Sequence, residues 1–207
     1  MTSSTAPQRL TPKGQATRDR IVEAAARLMF ERGVAGTGTS DVLKAAGLSS
    51  PSQLYHYFAG KRELIQAVIA YQTQHVLDLQ RPLLSRLDSF EALEAWRDAV
   101  VADQRARDCE GGCPIGSLSM ELSDHDAEAR VELAAGYQRW EEAIRDGLDR
   151  MRTRGELGAD ADPPRLALAL LTALQGGLVM TQARRDTVAL EVALNAIIDL
   201  IRCHASS

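Results

Sequence analysis

The sequence predicts an all-α protein in two parts, a small basic N-terminal head of three helices and a larger acidic helical body. Three observations predict it. Ala, Leu, Arg and Glu dominate the 207 residues, while 15 glycines and 7 prolines cluster between apolar-periodic segments, the usage expected of helices. Apolar residues recur at helical spacing, and no useful length alternates with the period of two that a strand requires. Charge, finally, is divided. Residues 1–62 carry nine Lys/Arg against four Asp/Glu, and the other 145 carry fifteen against twenty-four. The total of −4 therefore hides a basic module on an acidic body.

The elements follow in order. Residues 1–14 form a polar segment expected to be a disordered tail, and a first helix is expected over about 18–32. There Ile21, Ala25, Leu28 and Met29 make one apolar stripe, and Gly33 stands where a left-handed C-cap is expected. Thr37 or Thr39 can cap a short second helix that runs to Ala46, and Gly47 ends it. Ser50-Pro51-Ser52-Gln53 reads as a helix start: Ser50 as N-cap, Pro51 at N1 where its missing N–H costs nothing, Gln53 closing a capping box. That helix ends near Phe58 and Gly60. A fourth helix is expected from Gly60 to about Gln80, stopping before Pro82. Further helices are expected near 90–107, 117–123, 126–153, 163–182 and 186–203. The domains divide as a tail (1–14), a head (15–62) and a body (63–207).

Helix, tight turn, capped helix is the helix-turn-helix layout, whose second helix enters the major groove of DNA. At 100° per residue, Leu54, Tyr57 and Phe58 fall inward, and Ser52, Gln53, Tyr55 and His56 fall on the outer arc. Hydroxyl, amide, phenol and imidazole groups reach base edges and phosphates without a charge to bury. Gln53 is the candidate for reading an adenine edge. Lys61 and the open N–H groups of the fourth helix would hold the phosphate backbone. Thr39 and Ser50, at the starts of their helices, complete the candidate DNA-contacting set, and Lys13, Arg18 and Arg20 add positive charge.

The stretch RIVEAAARLMFERGVAGTGTSDVLKAAGLSSPSQLYHYFAGKRELIQAVI resembles the N-terminal module of the TetR family of bacterial transcriptional regulators. Ala24-Ala25, Phe30, Gly33, Thr37, Ala46-Gly47, Leu54-Tyr55, Phe58, Lys61 and Leu64 are in register. The turn is one residue longer than usual, and Ser52 stands where glycine is common. The stretch CEGGCPIGSLSMELSDHDAEAR is similar to the LmrA/YxaF-like subgroup. The resemblance implies a cytoplasmic homodimer whose two heads read the halves of a palindromic operator in double-stranded DNA. It implies a repressor, released when a small-molecule effector in the body changes the separation of the heads.

The body adds its own signals. The helices over 163–182 and 186–203 are apolar nearly all round, so both faces require cover. One face can meet the subunit's own core and the other a second copy. Leu170, Leu174, Gly177, Leu194 and Ile198 are the candidate dimer-interface residues. Tyr71, Trp96, Met120, Tyr137 and Trp140 are the candidate lining of an effector cavity, which suits an apolar or aromatic small molecule. Cys109 and Cys113 form a C-x3-C pair with too few nearby ligands for a metal site, and no cofactor is expected. A redox response or a protein partner in place of a small effector is the alternative mode of control. No nucleophile–base set, phosphate loop or carboxylate pair indicates an enzyme. No secretory signal or membrane span is expected, and three cysteines give no disulfide framework.

Overall fold

The computed structural model describes residues 10–206, which hold nine α-helices and no sheet. Two compact units divide between Tyr71 and Gln72, nine residues beyond the expected end of the head. Residues 1–9 of the expected tail lie outside the described residues. The remainder is not all tail. Helix α1 (Pro12–Arg32) begins six residues early because Thr11 caps it, its Oγ accepting from the Gly14 N–H at 3.2 Å, and Pro12 sits at N1.

In the N-terminal unit α1 buries Ile21, Ala25, Leu28 and Met29. Gly33 ends it with φ +76°, a conformation that disfavours any Cβ. Helix α2 (Thr39–Ala45) is capped by Gly38, not by a threonine. Asp41 Oδ2 accepts from the Gly38 N–H at 3.2 Å, while Thr37 is buried and donates to the Gly33 carbonyl. Gly47 leaves α2 with φ +67°, and helix α3 (Pro51–Tyr55) follows. Helix α4 (Lys61–Leu84) opens with Glu63 Oε2 accepting from the Ala59 N–H at 2.6 Å. It runs through Pro82 instead of stopping before it. The proline lies in the last turn, where one missing N–H is a small loss, and the chain closes normally beyond it with Ser85 N–H on the Arg81 carbonyl.

The second unit holds the rest of α4 with α5 (Phe90–Ala106), α6 (Pro114–Leu122), α7 (Ala127–Thr153), α8 (Pro163–Arg184) and α9 (Val188–Arg202). Helix α8 packs on α7 and α9, α9 on α5, and α6 on α7. Helix α6 starts three residues earlier than expected because Pro114 is its N1 residue, the same logic that starts α3 at Pro51. An isolated antiparallel bridge pairs Leu157 with Ala205.

The expected dimer residues require correction. Leu170, Leu174, Gly177, Leu194 and Ile198 are all buried inside the single subunit. Gly177 does permit close approach, but toward α9: a Cβ there would stand 2.8 Å from Leu190 Cα. The uncovered apolar side chains lie on the opposite faces, Leu168, Val179 and Met180 on α8, and Val188, Val192 and Leu200 on α9. By length and composition α8 could cross a membrane, yet its Leu166, Leu170, Leu174 and Leu178 are spent on the core.

Candidate nucleic-acid interface

Helix α3 is five residues long and is held by its two apolar anchors. Leu54 and Phe58 are buried, and Tyr57 is half-buried with its ring edge against His56. Ser52, Gln53, Tyr55 and His56 are exposed together on the outer arc, as the spacing predicts. Tyr55 stands 55% exposed. A side chain that large is left uncovered on a short helix only at a cost in apolar area. Thr39 is the half-buried first residue of α2.

Ser50 is the N-cap residue by position, but its hydroxyl does not cap. It lies 2.9 Å from Ser52 Oγ. Nor does Gln53 close a box on Ser50. Its backbone N–H goes to the Ser50 carbonyl at 3.1 Å, and its side chain turns one residue further back. Gln53 Oε1 accepts from the Ser49 N–H at 2.9 Å and from Ser49 Oγ at 3.3 Å. A long amide reaches the i−4 residue, where an N–H ahead of the helix has no other partner. Sequence reading overlooked Ser49; the i,i+4 spacing to Gln53 was its only signal.

Two cations expected near DNA also fasten the head. Lys61 Nζ donates to the Val34 carbonyl at 2.8 Å, just past the end of α1. Arg20 Nε donates to the Ala46 carbonyl at 2.9 Å, at the end of α2. Each places positive charge where a helix exposes carbonyls. Arg18 lies 5.0 Å over the Phe58 ring, a cation–π distance. Lys13 and Lys44 are exposed. The arc thus offers hydroxyl, amide, phenol and imidazole groups on a rigid stem, the set that reads base edges and phosphates.

The expected effector residues are not brought together as a set. Met120 is 81% exposed on α6, which removes it from any interior lining; its helix turns the neighbouring Ile115, Leu118 and Leu122 inward instead. Tyr71 is half-buried in the N-terminal unit, where burial and then the Glu23 charge push its phenol up. Trp96 is buried and donates to Gln80 Oε1 at 2.9 Å, tying α5 to α4. Trp140 is buried with no acceptor for its indole N–H among the described residues. Tyr137 lies 3.4 Å from Ser119 Oγ, its phenol pushed up by burial. Near it, a Cβ on Gly116 would stand 3.1 Å from Gln175 Oε1 and 3.8 Å from the Tyr137 hydroxyl, and the buried Gln175 amide faces the Cys113 thiol. Cys109 and Cys113 are both buried. Burial pushes the Cys113 thiol up, which lowers its thiolate fraction.

Comparison with known proteins matches these two units to two family models. Residues 21–68 match "Bacterial regulatory proteins, tetR family", and residues 89–197 match "Tetracyclin repressor-like, C-terminal domain". A curated relative in Mycobacterium tuberculosis, an uncharacterized HTH-type transcriptional regulator, is 29% identical over 198 residues, covering 90% of this chain and 95% of its own. The HTH-type transcriptional repressor DhaR of Mycobacterium sp. is 25% identical, covering 89% and 91%. The crystal structure of a TetR transcriptional regulator from Chloroflexus aurantiacus superposes with a TM-score of 0.77 at 28% identity, covering 94% of this chain and 98% of that one. A TetR-family regulator from Cytophaga hutchinsonii superposes at 0.81 and 21%, covering 97% and 100%. With both the head and more than half of the chain matched, and with a helix-turn-helix whose outer arc is exposed, the protein belongs to the TetR family of DNA-binding transcriptional regulators.

Proposed function

We propose that this regulator is a cytoplasmic homodimeric repressor that binds a palindromic operator and leaves it when a small molecule occupies the body. The observation that carries the reading is α3: Leu54 and Phe58 anchor it while Ser52, Gln53, Tyr55 and His56 stay exposed. Two copies are supported by the aligned apolar side chains on the outer faces of α8 and α9, spaced by four residues at Val188 and Val192. Exposed apolar stripes of this kind mark contact surfaces. A repressor is named among the relatives.

The effector is a small aromatic or apolar molecule that carries a hydrogen-bonding group. Buried Trp140 and half-buried Tyr137 supply apolar surface, and the unpartnered Trp140 N–H supplies a donor. Buried polar atoms left unsatisfied cost about 1–3 kcal/mol each, a penalty that a ligand's acceptor removes. The test is binding of the full chain to the DNA upstream of its own gene, titrated with a panel of small aromatic acids, phenols and ketones. Saturable release by one class, blunted in Trp140→Phe, is the expected result. Specific binding that no compound disturbs favours control by a protein partner; equal binding to scrambled duplex ends the repressor reading.

A further inference from the structure

Ser49, just ahead of α3, decides what the amide of Gln53 can read. Ser49 donates twice to Gln53 Oε1, from its backbone N–H at 2.9 Å and from its hydroxyl at 3.3 Å. A backbone N–H can only donate, so the end of the amide that meets it is the carbonyl, and the orientation of the side chain is settled. A carbonyl oxygen has two lone pairs, and both are taken. What remains of Gln53 is its NH2 group, exposed, while both bonds of its side chain are made by Oε1.

We infer that Gln53 reads DNA as a hydrogen-bond donor only, held in that state by Ser49, and selects guanine, with thymine next, over adenine. The inference rests on the proposal that α3 lies in the major groove. There guanine offers two acceptors, N7 and O6, and thymine offers O4. Adenine pairs its N7 acceptor with an N6 donor, and matching both requires the amide carbonyl that Ser49 occupies. Cytosine presents a donor and repels the NH2 group. This reverses the adenine assignment that the residue type suggests by itself. Ser49 acts here as a positioning residue, and Gln53 as the base reader.

The experiment is selection of binding sites from randomised duplex by the full chain and by three variants, Gln53→Ala, Gln53→Lys and Gln53→Glu. Gln53 is exposed, so none of the three disturbs the core, and thermal melts check that. One operator position enriched in G or T is expected to lose about tenfold of its discrimination in the alanine variant. The lysine variant, which also only donates, keeps the G preference. The glutamate variant, which only accepts, turns the same position to C. A Gln53-dependent position occupied by adenine in the unaltered protein overturns the inference. So does a selected site that Gln53→Ala leaves unchanged. If the unaltered protein selects no sequence at all, the operator reading of α3 falls as well, and the two failures are thereby told apart.

Discussion

At the residue scale, side chains that look alike in the sequence divide into fasteners and readers. Lys61 sits 27 residues from Val34, and its ammonium closes the end of α1 at 2.8 Å. A charged hydrogen bond of this kind contributes about 1.5–3 kcal/mol, so Lys61→Ala is expected to lower the melting temperature of the DNA-free protein. An unchanged melt would return Lys61 to the list of purely phosphate-binding cations. Asp88 offers a second test. Bonds from Arg154 at 3.0 Å and Arg150 at 3.4 Å hold its carboxyl below the usual range. A carboxylate with a depressed folded pKa stabilises the fold above its unfolded pKa of about 4 and loses that contribution as pH falls through the folded value. Asp88→Asn should therefore melt somewhat lower than the unaltered protein at pH 7, and the gap should close toward pH 3. A gap that widens on acidification would contradict the pairing. The burial of Leu54 and Phe58 was legible from 100° spacing alone. The partners of Lys61 and Arg20 were not, because an acceptor 26 or 27 residues away leaves no local periodic trace.

At the element scale, the two starts that local pattern misplaced are both prolines or caps used in their ordinary way. Pro12 and Pro114 open α1 and α6 as Pro51 opens α3; the apolar stripe begins later than the helix does, so periodicity places the start too late. Pro82 shows the converse, a breaker tolerated because it falls in the last turn. Glycines test the packing between elements. A Cβ on Gly147 of α7 would collide with the Leu87 carbonyl, a backbone atom that has no rotamer to give. Gly147→Ala should cost about 1–3 kcal/mol by denaturant unfolding. Gly176 on α8 has nothing within 4 Å, so Gly176→Ala should raise the helix propensity by up to about 1 kcal/mol without a clash in the single subunit. The reverse ranking would mean that α7 does not lie against the α4–α5 corner.

At the scale of the whole molecule, the exposed stripe on α8 and α9 is the feature that one subunit leaves unexplained. Charges at Val188 and Val192, as Glu replacements, should yield monomers by light scattering with the single-subunit helix content intact, and should cost most of the operator affinity, since two half-sites are then no longer read together. Dimers that persist would move the interface elsewhere. The proposed release by an effector would have a magnitude: emptying an almost full operator requires a preference of about 10⁴-fold, roughly 5.5 kcal/mol, for the other state. On the proposed reading, pairing a buried donor such as the Trp140 N–H contributes about 1–3 kcal/mol of it. The sequence alone determined the helical class, the basic head on an acidic body, and the inward and outward arcs of α3, because each is written in local periodicity, caps and charge. Only the tertiary structure decided which greasy face of α8 and α9 is spent inside the subunit, which cations are tied to helix ends, and which end of Gln53 faces outward. Those depend on contacts between distant residues, and a one-dimensional pattern does not rank them.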